Sequence, residues 1–342
     1  MNGSSAEEFF SGDPSHNPAA VRFFDVAHEG ARVRAVAGFL SDGGVDDIAG
    51  TAPRSVVVVT GDRLAAAAAG LVDALATPAQ VPLVVTDTLP SYVGALDVVV
   101  GVVDETTPAS ARAVADACSR GAGVVAIGGG DGLSGAVPSA VPVVPAPPHV
   151  TGITPASVAA TVHAVMGLVT GHPVDMVAAA ANDTADSIDG QLGLCAPDRD
   201  SLVNPAAQLN RHVVDHPVIH TASSRYGLAI ARIAAHQLAV EGHSGMVLDR
   251  NSAALAAQAH TRRRRDDRGI PPEDDPDSIF FDPVTTGAST PPGPALRTVT
   301  WAEAVDGLPD GLEQTIEERP GHSLAAGLAL CTRAWAAAVF QP

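Results

Sequence analysis

Two short polar loops carry the side chains of this sequence best placed to do chemistry. Thr60-Gly61-Asp62-Arg63 follows the apolar run from Ser55 to Val59, and Thr221-Ala222-Ser223-Ser224-Arg225 follows Pro217-Val-Ile-His220. An Ala/Leu/Ile-rich stretch comes after each, Leu64 to Ala76 in the first case and Tyr226 to Leu238 in the second. A strand that opens through hydroxyl and guanidinium groups into a helix leaves the first N–H groups of that helix free to face an anion. Phosphate is the anion that such turns most often hold. Other candidates are weaker. His212 and His216 stand at the i, i+4 spacing of metal ligands, but no Glu follows the first of them and Pro217 ends the helix there, so no metal is expected. Gly128 to Gly132 lacks the G-x-G-x-x-G pattern, which disfavours a dinucleotide, and no cofactor is expected.

The elements around these loops alternate. Val56 to Val59, Val81 to Val85, Leu96 to Val103 and Val124 to Ile127 read as strands, and Leu64 to Ala76, Pro108 to Arg120 and Pro155 to Gly171 as helices. Val141 to Val144 reads as a short edge strand because Pro142 interrupts it. Strands written as continuous Val/Ile runs argue for parallel sheets covered on both faces. After a helix over Val21 to Leu40, the pattern divides the chain into a tail and helix (1–50), a first lobe (51–175), a linker and helix (176–215) and a second lobe with a C-terminal helix (216–342). Residues 182–202, rich in Asp, read as a weak helix or loop, and 261–277, which contains Arg262 to Arg265, as a charged loop. Strands are expected at Gly245 to Leu248, Ile279 to Asp282 and Thr298 to Trp301, and helices at Asn204 to Asp215, Asn251 to His260, Gly311 to Arg319 and His322 to Phe340. The last is apolar enough for a core or a dimer seam.

Composition removes several classes of function. The net charge of −18 and an aromatic content of 4% disfavour nucleic acid and anionic membrane surfaces as partners. All 20 basic residues counted are Arg, so chemistry that needs a Lys amine, such as Schiff-base catalysis or a P-loop, is excluded. Cys118, Cys195 and Cys331 are far apart and read as reduced thiols. With no secretory signal and no apolar run of membrane-spanning length in the sequence, a soluble cytoplasmic protein is expected.

Short motifs then point to a family. Asn204-Pro-Ala-Ala-Gln-Leu, Pro217-Val-Ile-His-Thr-Ala-Ser-Ser, the helix from Ile233 to Glu241, and Gly321-His-Ser-Leu-Ala through Trp335 resemble segments of the bifunctional phosphoglucose/phosphomannose isomerases of bacteria and archaea. These proteins consist of two sugar isomerase (SIS) lobes in tandem, each a doubly wound parallel sheet flanked by helices. The resemblance implies an α/β fold of that kind, a homodimer, and aldose–ketose isomerisation of a hexose 6-phosphate through an enediol. It implies Glu241 as the base and His243 or His322 as the group that opens the ring. Phosphosugar contacts would come from Thr60, Gly61, Thr106, Thr107, Ser110, Gly129, Thr221, Ser223, Ser224 and Arg225. In the first lobe the family's Ser-x-Ser-Gly-Asn-Thr is Asp104-Glu-Thr-Thr-Pro-Ala-Ser110, which sets two carboxylates beside the hydroxyls. The alternative reading is accordingly a catalytically degenerate SIS protein that binds a phosphosugar or a partner protein.

Overall fold

The computed structural model describes residues 18–103, 108–128, 136–147, 150, 152–267, 294–317 and 321–340. Helices α1 (Pro18–Ala27) and α2 (Glu29–Ser41) replace the single helix expected there. The first lobe continues with β1 (Ser55–Val59), α3 (Arg63–Leu75), β2 (Leu83–Thr86), β3 (Asp97–Val103), α4 (Pro108–Ser119), β4 (Gly123–Gly128), β5 (Val143–Val144) and α5 (Pro155–Val169). Its sheet has the order β2-β1-β3-β4-β5, and every pairing is parallel. The continuous Val runs are explained by burial on two faces. Val56, Val58, Val98 and Val100 face one core, while Val57, Val59, Val99 and Val103 face a second, where they meet Val114 and Ala117 of α4. Gly101 on β3 lets α4 approach, because a Cβ there would stand 2.1 Å from Val114 Cγ2.

Helices α6 (Val174–Cys195) and α7 (Pro205–Val213) lead to β6 (Val218–Thr221), α8 (Arg225–Val240), β7 (Gly245–Val247), α9 (Arg250–Asp267), β8 (Arg297–Trp301), β9 (Gly311–Gln314) and α10 (Leu324–Val339). The second sheet, in the order β7-β6-β8-β9, is again wholly parallel. Two parallel sheets clothed in helices agree with the α/β architecture expected from the sequence.

Several expectations need correction. The stretch expected as a weak helix or loop from residue 182 is helical as far as Cys195. Ala178, Ala181, Ala185, Ile188, Leu192 and Cys195 form its buried stripe, while Asp186 and Asp189 face outward to Arg34 of α2 at 2.7 and 2.5 Å. The helix expected over 311–319 begins instead as strand β9, whose Gln314 is buried. Helix α9 runs on through Arg262 to Arg264, which were expected in a loop. The strand expected at 279–282 lies outside the described residues.

Helix α10 is buried along nearly its whole length and joins both lobes in one core cluster, packing on α6, α7 and α8. Two polar side chains hold it. Arg333 donates to Gln314 Oε1 at 3.1 Å, Thr315 O at 3.2 Å and Gln191 Oε1 at 3.0 Å, and Asn210 Nδ2 donates to the carbonyls of Ala337 at 2.9 Å and Phe340 at 3.2 Å.

Candidate functional site

Each sheet reverses its strand order once, between β1 and β3 in the first lobe and between β6 and β8 in the second. In open parallel sheets a ligand crevice forms outside the strand ends at such a reversal. The Thr60 and Thr221 loops leave from β1 and β6, so the fold brings each predicted loop to one of these crevices.

In the first crevice Thr60 is buried and its Oγ1 accepts the Asp62 N–H at 3.1 Å. The Asp62 carboxylate in turn accepts the Ala65 N–H at 2.6 Å, which caps α3 and places a negative charge at its positive end. Gly61 is exposed beside it. Ser110, in the first turn of α4, is 1% exposed and its hydroxyl has no hydrogen-bond partner among the described residues. Thr106, Thr107 and Gly129 lie outside the described residues.

The second crevice is occupied by the chain itself. Glu303, in the loop after β8, accepts the N–H groups of Ser223 at 2.9 Å and Ser224 at 2.5 Å through one carboxylate oxygen. Ser224 Oγ accepts the Gly227 N–H at 3.0 Å, and Arg225 donates to Asp73 at 2.8 Å and Thr77 at 3.1 Å. Thr221 and Thr300, opposite each other in register, have buried hydroxyls without partners among the described residues. His322 is drawn to the same end of the lobe: its ring stacks on Tyr226 at 4.3 Å, and the Tyr226 hydroxyl donates to Ser323 O at 2.7 Å. Burial pushes the Tyr226 phenol well above its ordinary pKa.

Glu241 lies elsewhere. It caps the C-terminus of α8, a helix of 16 residues, and is therefore roughly 24 Å along the axis from the Thr221 loop. Because Arg225 at the start of α8 meets Asp73 near the end of α3, the two helices pack antiparallel. The end of α8 consequently runs toward the start of α3 and the Thr60 loop. His243 follows closely, its N–H bonded to Leu238 O at 3.0 Å.

Three further histidines have internal tasks. His220 is buried under Trp301, whose Nε1 donates to its Nδ1 at 3.2 Å, and burial lowers its pKa to about 3. His212 and His216 bond separately to the carbonyls of Thr298 at 3.1 Å and Ala295 at 3.0 Å. Among the described residues no three His, Cys, Asp or Glu side chains gather as metal ligands. A cleft of about 590 Å³, lined by Asp47, Arg54, Asp97 and Cys118, opens at the opposite end of the first sheet, where β1, β3 and β4 begin.

No protein family's sequence profile matches the chain, and no curated protein does. Solved structures do match. The C-terminal domain of glucosamine-fructose-6-phosphate aminotransferase from Francisella tularensis superposes with a TM-score of 0.56 at 14% identity, covering 92% of this chain and 93% of that one. Tagatose-6-phosphate ketose/aldose isomerase from Escherichia coli gives 0.54 at 12% identity, covering 94% and 93%. This is the tandem sugar-isomerase fold. Likeness at such low identity carries the SIS architecture across and leaves its chemistry to be argued from side chains. Among the described residues, no helix is long and apolar enough to cross a membrane.

Proposed function

We propose that the chain binds a sugar phosphate in the crevice of its first lobe, between the Thr60 loop and the start of α4. The contrast between the two crevices supports this reading. The second is filled by Glu303, whereas the first borders on the buried hydroxyl of Ser110, which has no partner among the described residues and which a phosphate oxygen would satisfy. Glu241, brought toward this crevice by the antiparallel pairing of α3 and α8, is the base of an aldose–ketose isomerisation of glucose 6-phosphate or mannose 6-phosphate. It would carry a proton between C1 and C2 through an enediol, with His243, two residues on, as the imidazole that assists ring opening. His322 stands with Tyr226 at the other lobe's crevice and has no part in this step.

A second reading, binding without turnover, is favoured by Asp62, whose carboxylate already caps the helix that would face the phosphate. A coupled assay with fructose 6-phosphate and mannose 6-phosphate, run beside calorimetric titration, separates the two. Turnover that disappears in Glu241→Gln with folding intact supports the isomerase. Binding without turnover supports the second reading, and the absence of both refutes the proposed ligand.

A further inference from the structure

The loop that opens the second lobe has the donors for an anion, and the chain supplies the anion. The Ser223 and Ser224 N–H groups precede α8, where the helix field attracts negative charge most strongly, and both bond to Glu303. Nothing else in the loop is left to receive a ligand by charge, since Arg225 is committed to Asp73 and Thr77. Gly227 permits the closure: a Cβ there would stand 2.5 Å from the Trp301 carbonyl oxygen and 3.3 Å from the Glu303 carboxylate. At the ends of the two strands that feed the crevice, the Thr221 and Thr300 side chains are 0% and 2% exposed, and neither hydroxyl has a partner among the described residues. These are polar groups of a binding crevice held shut by an internal carboxylate.

We propose that Glu303 determines which of the two crevices takes ligand: it stands in for a phosphate in the second lobe, so that a sugar phosphate is held once per chain, in the first. This inference rests on the reading of the first crevice given above. A phosphate dianion brought to the same N–H groups would meet the carboxylate at close range, where like charges repel strongly and the chain has no Lys to offset them.

The test follows backbone amide resonances of the full chain during titration with inorganic phosphate and with glucose 6-phosphate. In the wild type, the Ser223 and Ser224 amides remain still while those around Ser110 move with glucose 6-phosphate. Glu303→Ala frees both N–H groups, and inorganic phosphate then shifts Ser223 and Ser224 with an affinity on the order of tenfold or more above the wild type. Glu303→Gln keeps an acceptor oxygen for the two N–H groups and removes only the charge, so it carries the test if the Ala variant does not fold. Equal response of Ser223 and Ser224 in wild type and variants overturns the proposal, as does silence in both variants. Silence around Ser110 alone, with the variants responding, removes the first-crevice reading and leaves the role of Glu303 standing.

Discussion

Glu29→Gln should remove a block of pH dependence from the stability of this protein. Glu29 opens α2 and is 2% exposed. Thr154 and the Ala156 backbone at the start of α5 favour its ionised form, as does Arg32, whose Nε stands 3.7 Å from Oε1. Burial outweighs these partners and raises its pKa from 4.5 to about 7. Between those values the folded chain retains a proton that the unfolded chain releases, so the contribution is complete below pH 4.5 and is lost as pH rises through 7. At one pKa unit per 1.36 kcal/mol the whole effect is on the order of 3 kcal/mol, of which about 2 kcal/mol falls between roughly pH 5.5 and 8. Buried histidines act in the opposite sense. His220, lowered to about 3, contributes stability above pH 6.5 that is lost as pH falls. Subtracting the Gln variant's profile from the wild type's cancels such terms. Urea unfolding from pH 5.5 to 8 should show the variant gaining about 2 kcal/mol on the wild type as pH rises. Parallel profiles, separated by a constant offset, would refute the reasoning.

Three further substitutions test the packing. Gly101→Ala drives a methyl group into Val114, and urea unfolding should show a loss of about 1–3 kcal/mol that Val114→Ala largely restores. Arg333→Ala leaves buried oxygens of Gln191, Gln314 and Thr315 without their donor and should cost about 3 kcal/mol or more by the same measurement. Asn210→Ala frees the two carbonyls at the end of α10 and should cost about 1–2 kcal/mol, with faster amide exchange over 337–340 as the local sign.

The buried sheets were the most legible part of the sequence. Val56 to Val59 and Val98 to Val103 are covered on both faces, so their hydrophobicity is continuous and no alternation confuses it. Helix α6 was hidden by Asp183, Asp186 and Asp189, whose charge suggests a loop until the apolar residues three and four apart are set on one face. Strand β9 could not be read from Gly311-Leu-Glu-Gln314, because four residues carry no period and pairing with β8 decides their state. At the candidate site, the two strand-to-helix loops were visible as a repeat, whereas the internal partners of their polar groups were not. Glu303 had one sign: it follows its strand by two residues, as Glu105 follows β3. Its attachment to Ser223 and Ser224 spans 80 and 79 residues of sequence, a separation that no local pattern records.

The burial of α10 has a consequence for how the protein is made. Its seats are built from helices of both halves, α5 and α6 as well as α7 and α8, so neither half closes its core with its own residues. During synthesis the first sheet can form early, but the apolar faces of those helices wait for residues 324–339 to emerge from the ribosome. Until then the nascent chain presents a hydrophobic trough. The first lobe expressed alone, without α10, would display its part of that trough permanently.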